Sequence, residues 1–135
     1  MKSRLYITLL FLPLLASAQL AVTVSPVKAI GSKAVVPLAM RNGFAVNIES
    51  ARAACFLLDE RGKVVGRATQ WVIGSGRDKS PLSPGATKAF FFVVPSDKLL
   101  VATNLTAGIT FNRVVLKGGK LADPHKDVQV RHALK

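Results

Sequence analysis

Apolar and polar residues alternate along this chain in short runs. Between Lys33 and Arg41 the residues at every second position are apolar and would share one face of a strand: Ala34, Val36, Leu38 and Met40. A period of two is typical of a strand with one buried and one solvated face. No window of useful length shows the spacing of three and four residues that marks an amphipathic helix. The sequence therefore predicts an all-β fold.

Clusters of Gly, Pro, Asn, Asp and Ser separate seven such runs. The runs are Leu20 to Ile30, Lys33 to Arg41, Ser50 to Asp59, Lys63 to Ile73, Ala86 to Val94, Leu105 to Leu116 and Asp127 to Arg131. This number and spacing of short strands indicate an immunoglobulin-like antiparallel sandwich of about seven strands. Pro26 interrupts the first run, which suits an edge strand that bends or switches.

The sixth run breaks its own alternation. Its apolar residues fall at odd positions as far as Phe111 and continue at Val114 and Leu116, one residue out of step. Because a slip of one residue turns every later side chain to the other face, an extra residue is needed to keep both sets buried. We therefore expect a β-bulge near Asn112 and Arg113.

A charged segment, Asp59-Glu60-Arg61-Gly62, joins the third and fourth runs. Asp at the first position of a turn accepts a hydrogen bond from a backbone N–H two residues on, and Gly at the fourth closes the hairpin with a left-handed backbone. The carboxylates of a general acid–base pair would have to converge on a substrate, whereas neighbouring turn residues diverge. The segment is predicted to be a hairpin turn.

The first eighteen residues have the pattern of a secretory signal peptide. Basic residues precede an apolar core, Leu5 to Leu15, which is too short to cross a bilayer, and small residues follow it. We expect cleavage between Ala18 and Gln19, which leaves one domain, residues 19–135, and no transmembrane segment. The mature chain would be periplasmic or secreted.

Basic residues outnumber acidic ones by 19 to 7, and the net charge is +12. This charge favours anionic partners such as acidic polysaccharide, while export makes nucleic acid an unexpected partner. The basic residues are also spread evenly along the chain, as a solvated surface requires. Both interpretations stay open at this point.

Few residues are candidates for chemistry. Cys55, the only cysteine, shares a predicted strand face with apolar residues, where burial would raise the pKa of its thiol; on the opposite face it would be free to form an intermolecular disulfide. His125 and His132 are seven residues apart and would point to opposite faces of a straight strand. The sequence contains no nucleophile elbow, phosphate loop or zinc-ligand spacing. We predict no catalytic residue, no cofactor and no metal site.

A recognisable series of strand ends and turns lies between residues 51 and 94: Leu57, Asp59, Gly62, Lys63, Val64, Val65, Leu82, Pro84, Gly85, Phe90 and Phe92. The series resembles that of bacterial FxLYD-type immunoglobulin-like domains, with Cys55 and Leu58 in place of the Phe and Tyr of the motif. The resemblance implies an exported immunoglobulin-like domain and assigns no functional residue.

Aromatic residues are the remaining candidates for function. Phe90 and Phe92 are predicted to lie in the core, so Phe91 and Val93 point to the other face and need a cover. Such a face, or an unpaired edge strand, would bind another envelope or secreted protein. The function we expect is that of a non-enzymatic exported domain for binding or assembly in the cell envelope.

Trp71 carries an alternative hypothesis. Its alternation with Thr69 and Ile73 favours a core or partly buried position, whereas an exposed tryptophan would be an anchor for sugar or protein. Together with Arg77 and Lys79 in the polar loop that follows, an exposed Trp71 would form a small carbohydrate- or polyanion-binding surface.

Overall fold

Nine strands form in the computed structural model, which describes residues 19–74, 79–95 and 104–133. They are β1 (Leu20–Val24), β2 (Lys28–Ile30), β3 (Lys33–Asn42), β4 (Ile48–Leu58), β5 (Val64–Ile73), β6 (Thr87–Pro95), β7 (Thr106–Leu116), β8 (Lys120–Leu121) and β9 (Val128–His132). A turn of 3-10 helix, Lys117–Gly119, lies between β7 and β8. Each of the seven predicted runs contains a strand, and the predicted all-β sandwich is confirmed.

The strands form two sheets that pack face to face around one core. In sheet A the order is β9, β1, β3 and β6, with β2 continuing the line of β1 along β3. In sheet B the order is β5, β4, β7 and β8. The expectation of a purely antiparallel sandwich needs one correction, because β1 and β9 are parallel. Parallel neighbours require a crossover connection, and the chain between β1 and β9 supplies one by passing through both sheets.

Proline divides the first predicted strand. β1 pairs with residues 38–42 of β3 and β2 pairs with residues 33–35, so that residues 25–27 form a break around Pro26. Proline cannot donate to a strand ladder, which explains the break. The predicted interruption is confirmed, and both halves stay in sheet A. β1 itself is not an edge strand, because it pairs with β3 on one side and with β9 on the other.

Alternate residues of the central strands fill the core. The core cluster contains the buried residues Leu20, Val22, Val24, Ala34, Val36, Leu38, Met40, Ile48, Ala51, Ala53, Cys55, Leu57, Val72, Ile73, Leu82, Phe92, Val94, Ala107, Ile109, Phe111, Val114 and Leu116. The rings of Phe90 and Phe92 meet edge to face, with centroids 5.3 Å apart. The predicted inner faces of β3 and β6 are therefore confirmed.

The bulge predicted in the sixth run is present in β7. Arg52 of β4 pairs with Arg113, and Ala53 pairs with Phe111, so Asn112 is the extra residue. Phe111 and Val114 are buried on either side of it. The bulge keeps both apolar sets inside, as the broken alternation indicated.

A second bulge, which the sequence did not indicate, lies in β5. Ala51 pairs with Ile73 and Arg52 pairs with Trp71, which leaves Val72 as the extra residue. Val72 and Ile73 are both buried, whereas Trp71 is 40% exposed. The prediction that Trp71 shares the core face of Ile73 is wrong, because the extra residue turns Trp71 to the outer face of sheet B.

Candidate interaction surfaces

The charged segment after β4 is a hairpin turn, as predicted. The N–H of Gly62 donates to the carbonyl of Asp59 at 2.9 Å, and Gly62 has a φ of 80°. Asp59 Oδ1 accepts hydrogen bonds of 2.9 Å from the N–H groups of Lys63 and Arg61. The bond from Lys63 is the main cause that lowers the pKa of Asp59, which is otherwise well solvated. The carboxylate stabilises the turn, and its oxygen is committed to backbone donors rather than to a substrate.

Cys55 lies in the core on the inner face of β4. Its side chain is fully buried and forms no disulfide, and burial raises the pKa of the thiol to about 11. The thiol is therefore protonated at neutral pH and has no access to solvent. Of the two positions considered from the sequence, the inner one is confirmed.

The two histidines lie in different kinds of structure. His125 belongs to the turn before β9, where its N–H donates to Asp123 Oδ1 at 2.9 Å, so the expected straight strand does not contain both residues. His132 lies at the end of β9, and its Nε2 donates to the carbonyl of Ala107 in β7 at 2.7 Å. This bond joins the last strand of sheet A to sheet B. Among the described residues, no three or more His, Cys, Asp or Glu side chains are grouped as a metal site would require.

The outer face of sheet A carries the predicted exposed pair. Phe91 is 61% exposed and Val93 is 37% exposed, and both point away from the core on β6. Phe91 lies opposite Pro37 of β3, and Val93 lies opposite Val35. These four residues form a continuous apolar surface, which we call the Phe91 face.

β6 also presents an open edge. Among the described strands it pairs only with β3. The N–H of Ser25 donates to the carbonyl of Pro37 at 2.8 Å, so the backbone groups of Pro37 point toward β1 and away from β6. Alternate residues of an antiparallel strand bond to opposite neighbours, and Phe91 is the partner of Pro37. The backbone N–H and C=O groups of Ala89, Phe91 and Val93 therefore point to the open edge.

A groove follows this edge. It has a volume of about 540 Å³ and lies between the Phe91 face and Gln70 of β5. Its walls include Leu38 and Phe90, which lie at the rim of the core. An extended chain that paired with β6 would place side chains in this groove and on the Phe91 face at alternate positions.

The charged residues on sheet A are all basic. The described strands of this sheet contain no Asp or Glu. The register places four basic side chains on its outer face: Lys28, Lys33, Arg41 and Arg131. The face with the open edge therefore has positive charges at its margins and an apolar centre.

A row of three large side chains crosses the outer face of sheet B. Arg52 of β4 lies opposite Trp71 of β5 on one side and opposite Arg113 of β7 on the other. The sequence interpretation missed Arg52 and Arg113, because only the strand register and the two bulges bring these distant residues together. Of the two loop residues expected beside Trp71, Arg77 lies outside the described residues, and Lys79 is exposed with a left-handed φ of 46°.

Solved structures with a similar fold include two bacterial proteins. The ApaA protein of Bordetella pertussis aligns with a TM-score of 0.53 and 16% identity, over 78% of this chain and 86% of its own. IrmA of Escherichia coli aligns with a TM-score of 0.51 and 12% identity, over 87% of this chain and 98% of its own. No protein-family model matches the sequence, and no curated protein matches it. At such low identity these similarities establish the fold alone.

Proposed function

We propose that this protein is a non-enzymatic, exported binding domain of the cell envelope that holds another protein at the edge of β6. The observation that carries the proposal is the position of Phe91, which is 61% exposed and whose backbone groups point to the same open edge. An edge strand with an exposed aromatic side chain is a template for strand addition. The resemblance to FxLYD-type domains also implies an exported domain, and export remains a prediction.

The partner would be an extended segment with alternating apolar residues and acidic flanks. Backbone pairing with Ala89, Phe91 and Val93 would provide affinity, and the apolar side chains of the partner would cover the Phe91 face. The basic margins of sheet A favour acidic residues at the two ends of the partner segment. The same charge disfavours a second copy of this chain, because the two faces would repel.

Site-directed photo-crosslinking tests this proposal. Phe91 is replaced by the photoreactive residue p-benzoylphenylalanine, and the purified protein is irradiated with an envelope extract of the cells that produce it. We expect one dominant protein adduct. Thr69, an exposed residue of β5 in the opposite sheet, provides the matched control position, from which the same adduct should be absent.

A backbone variant then tests the mode of binding. In Val93→Pro the N–H at the open edge is lost while the ladder with β3 is kept, because Val93 does not donate to β3. The variant should abolish the adduct at position 91, and raising the salt concentration should weaken it. Equal adducts at positions 91 and 69, or an adduct that survives Val93→Pro, would refute strand addition at β6.

A further inference from the structure

A second surface, on the opposite sheet, has the composition of a ligand site. Trp71, Arg52 and Arg113 lie side by side on neighbouring strands of sheet B. Side chains directly opposite one another on paired strands have Cβ atoms about 5 Å apart. One indole and two guanidinium groups are therefore concentrated in a strip that faces solvent, and all three residues are exposed. This strip is called the Trp71 row below.

Two of the register irregularities along β4, one in each of its strand pairs, contribute to the row. The extra residue Val72 in β5 turns Trp71 outward, and the extra residue Asn112 in β7 turns Arg113 outward. Both bulges lie beside Arg52 of β4. Bulges commonly redirect a side chain next to a functional site. Here two of them redirect side chains toward the same point on the surface.

The charges of the row oppose folding stability. Arg52 and Arg113 are directly opposite each other, and like charges in that position repel. On the described strands β4, β5, β7 and β8 the only acidic residue is Glu49, which lies three positions before Arg52 and outside the row. The charges of two facing arginines without a carboxylate between them are not compensated within the row. An anionic ligand would remove the repulsion.

The surface beside the row offers both hydroxyl and apolar groups. Two further rows of outward-pointing residues continue it: Thr69, Ala54 and Thr110, then Arg67, Phe56 and Gly108. No atom lies within 4 Å of the position where a side chain on Gly108 would begin. The distance along β4 from Arg52 to Phe56 is about 13 Å. Cationic groups therefore lie at both ends of a strip that offers threonine hydroxyls and apolar side chains, which suits an extended anionic polymer of sugar rings.

We infer that the Trp71 row binds an acidic polysaccharide. The apolar face of a uronate ring stacks on the indole of Trp71, and its carboxylate accepts hydrogen bonds from the guanidinium groups of Arg52 and Arg113. Arg67 meets a carboxylate further along the polymer. Because the row lies on sheet B and the β6 edge lies on sheet A, this inference can be tested independently of the protein-binding proposal.

The protein contains one tryptophan, so its fluorescence reports on this site alone. The purified chain is titrated with a galacturonate hexamer and, separately, with the fully methyl-esterified hexamer, which lacks the negative charges. We expect the acidic hexamer to change the emission of Trp71 and to bind at least about tenfold more tightly than the ester. Arg52→Ala and Arg113→Ala should each weaken binding about tenfold, since anchoring residues dominate the affinity of a site.

Arg41→Ala is the matched control, because it removes one exposed arginine from the outer face of sheet A. It should change the affinity less than about twofold. An equal loss in Arg41→Ala and Arg52→Ala would show general charge attraction and overturn the inference. Calorimetric binding that is unchanged by Trp71→Ala would overturn it as well. Tighter binding of a single-stranded oligonucleotide than of the acidic hexamer would replace polysaccharide by nucleic acid as the ligand.

Discussion

The side-chain amide of Asn42 donates a hydrogen bond of 2.8 Å to the backbone carbonyl of Leu82, forty residues away in sequence. Asn42 is fully buried at the end of β3. Its Nδ2 also donates to the carbonyl of Val46, and its Oδ1 accepts from the N–H of Phe44 at 2.7 Å. One side chain thus ties the end of a core strand to two loops. The Leu82 carbonyl also accepts a hydrogen bond of 2.9 Å from the N–H of Ile48, and buried polar groups of this kind are normally paired.

Replacement of Asn42 by Ala should therefore be strongly destabilising. The variant removes three hydrogen bonds made by a fully buried side chain, while the Leu82 carbonyl keeps its bond from the N–H of Ile48, and we expect a loss of about 2–4 kcal/mol in the free energy of unfolding. Urea unfolding measures this loss. Asn112→Ala, which changes an exposed asparagine, should cost less than about 0.5 kcal/mol. Similar losses in the two variants would contradict the role of Asn42.

Two neighbouring phenylalanines of β6 should respond very differently to truncation. Phe92 is fully buried and its ring contacts Phe90, so Phe92→Ala should cost about 3–5 kcal/mol. Phe91 lies on the opposite face, and Phe91→Ala should cost less than about 1 kcal/mol. Thermal or urea unfolding of both variants compares them. A larger cost for Phe91 would mean that the two faces of β6 are reversed.

The buried thiol of Cys55 predicts both slow chemistry and a loss of stability in alkali. Iodoacetamide should label the folded protein far more slowly than the urea-unfolded protein at about pH 8. The pKa of Cys55 is about 11 in the folded state against an ordinary value of 9.0. Between these values only the unfolded state loses its proton, so stability decreases as the pH rises.

Cys55→Ala isolates this effect, because the variant has no thiol to titrate. The difference in unfolding free energy between the natural protein and Cys55→Ala should shrink as the pH is raised from about 8 to about 11. A difference that stays constant over this range, together with rapid labelling of the folded protein, would show that the thiol is accessible.

The carboxylate of Asp59 predicts the opposite pH dependence. Its pKa is lowered from the ordinary value of 3.8, chiefly by the hydrogen bond from the N–H of Lys63. Stabilisation by this carboxylate is present above pH 3.8 and is lost as the pH falls through the lower folded value. Urea midpoints measured at neutral and at acid pH should converge for the natural protein and Asp59→Asn. In Glu60→Gln, the same chemical change at the next residue, the acid-dependent loss should persist.

Several features of the fold could be predicted because they depend on neighbouring residues. The hairpin turn requires only that Asp59 and Gly62 stand three positions apart, since the carboxylate and the left-handed glycine act within the turn itself. The bulge at Asn112 could be recognised because apolar residues on both sides of it had to remain buried. Trp71 was misplaced for the complementary reason. Its bulge lies one residue from the end of β5, where too few apolar positions follow to reveal a change of phase.

Local patterns were sufficient to recognise the seven main strand segments and the buried faces of β3, β6 and β7. Period-two alternation and turn residues act over a few positions, so they can be recognised without knowing the partner of any strand. Tertiary packing was needed to establish that β9 runs parallel to β1, that Asn42 bonds to Leu82, and that Arg52 lies between Trp71 and Arg113. These relationships join residues that are far apart in the chain, and the register between distant strands depends on how both sheets pack as a whole.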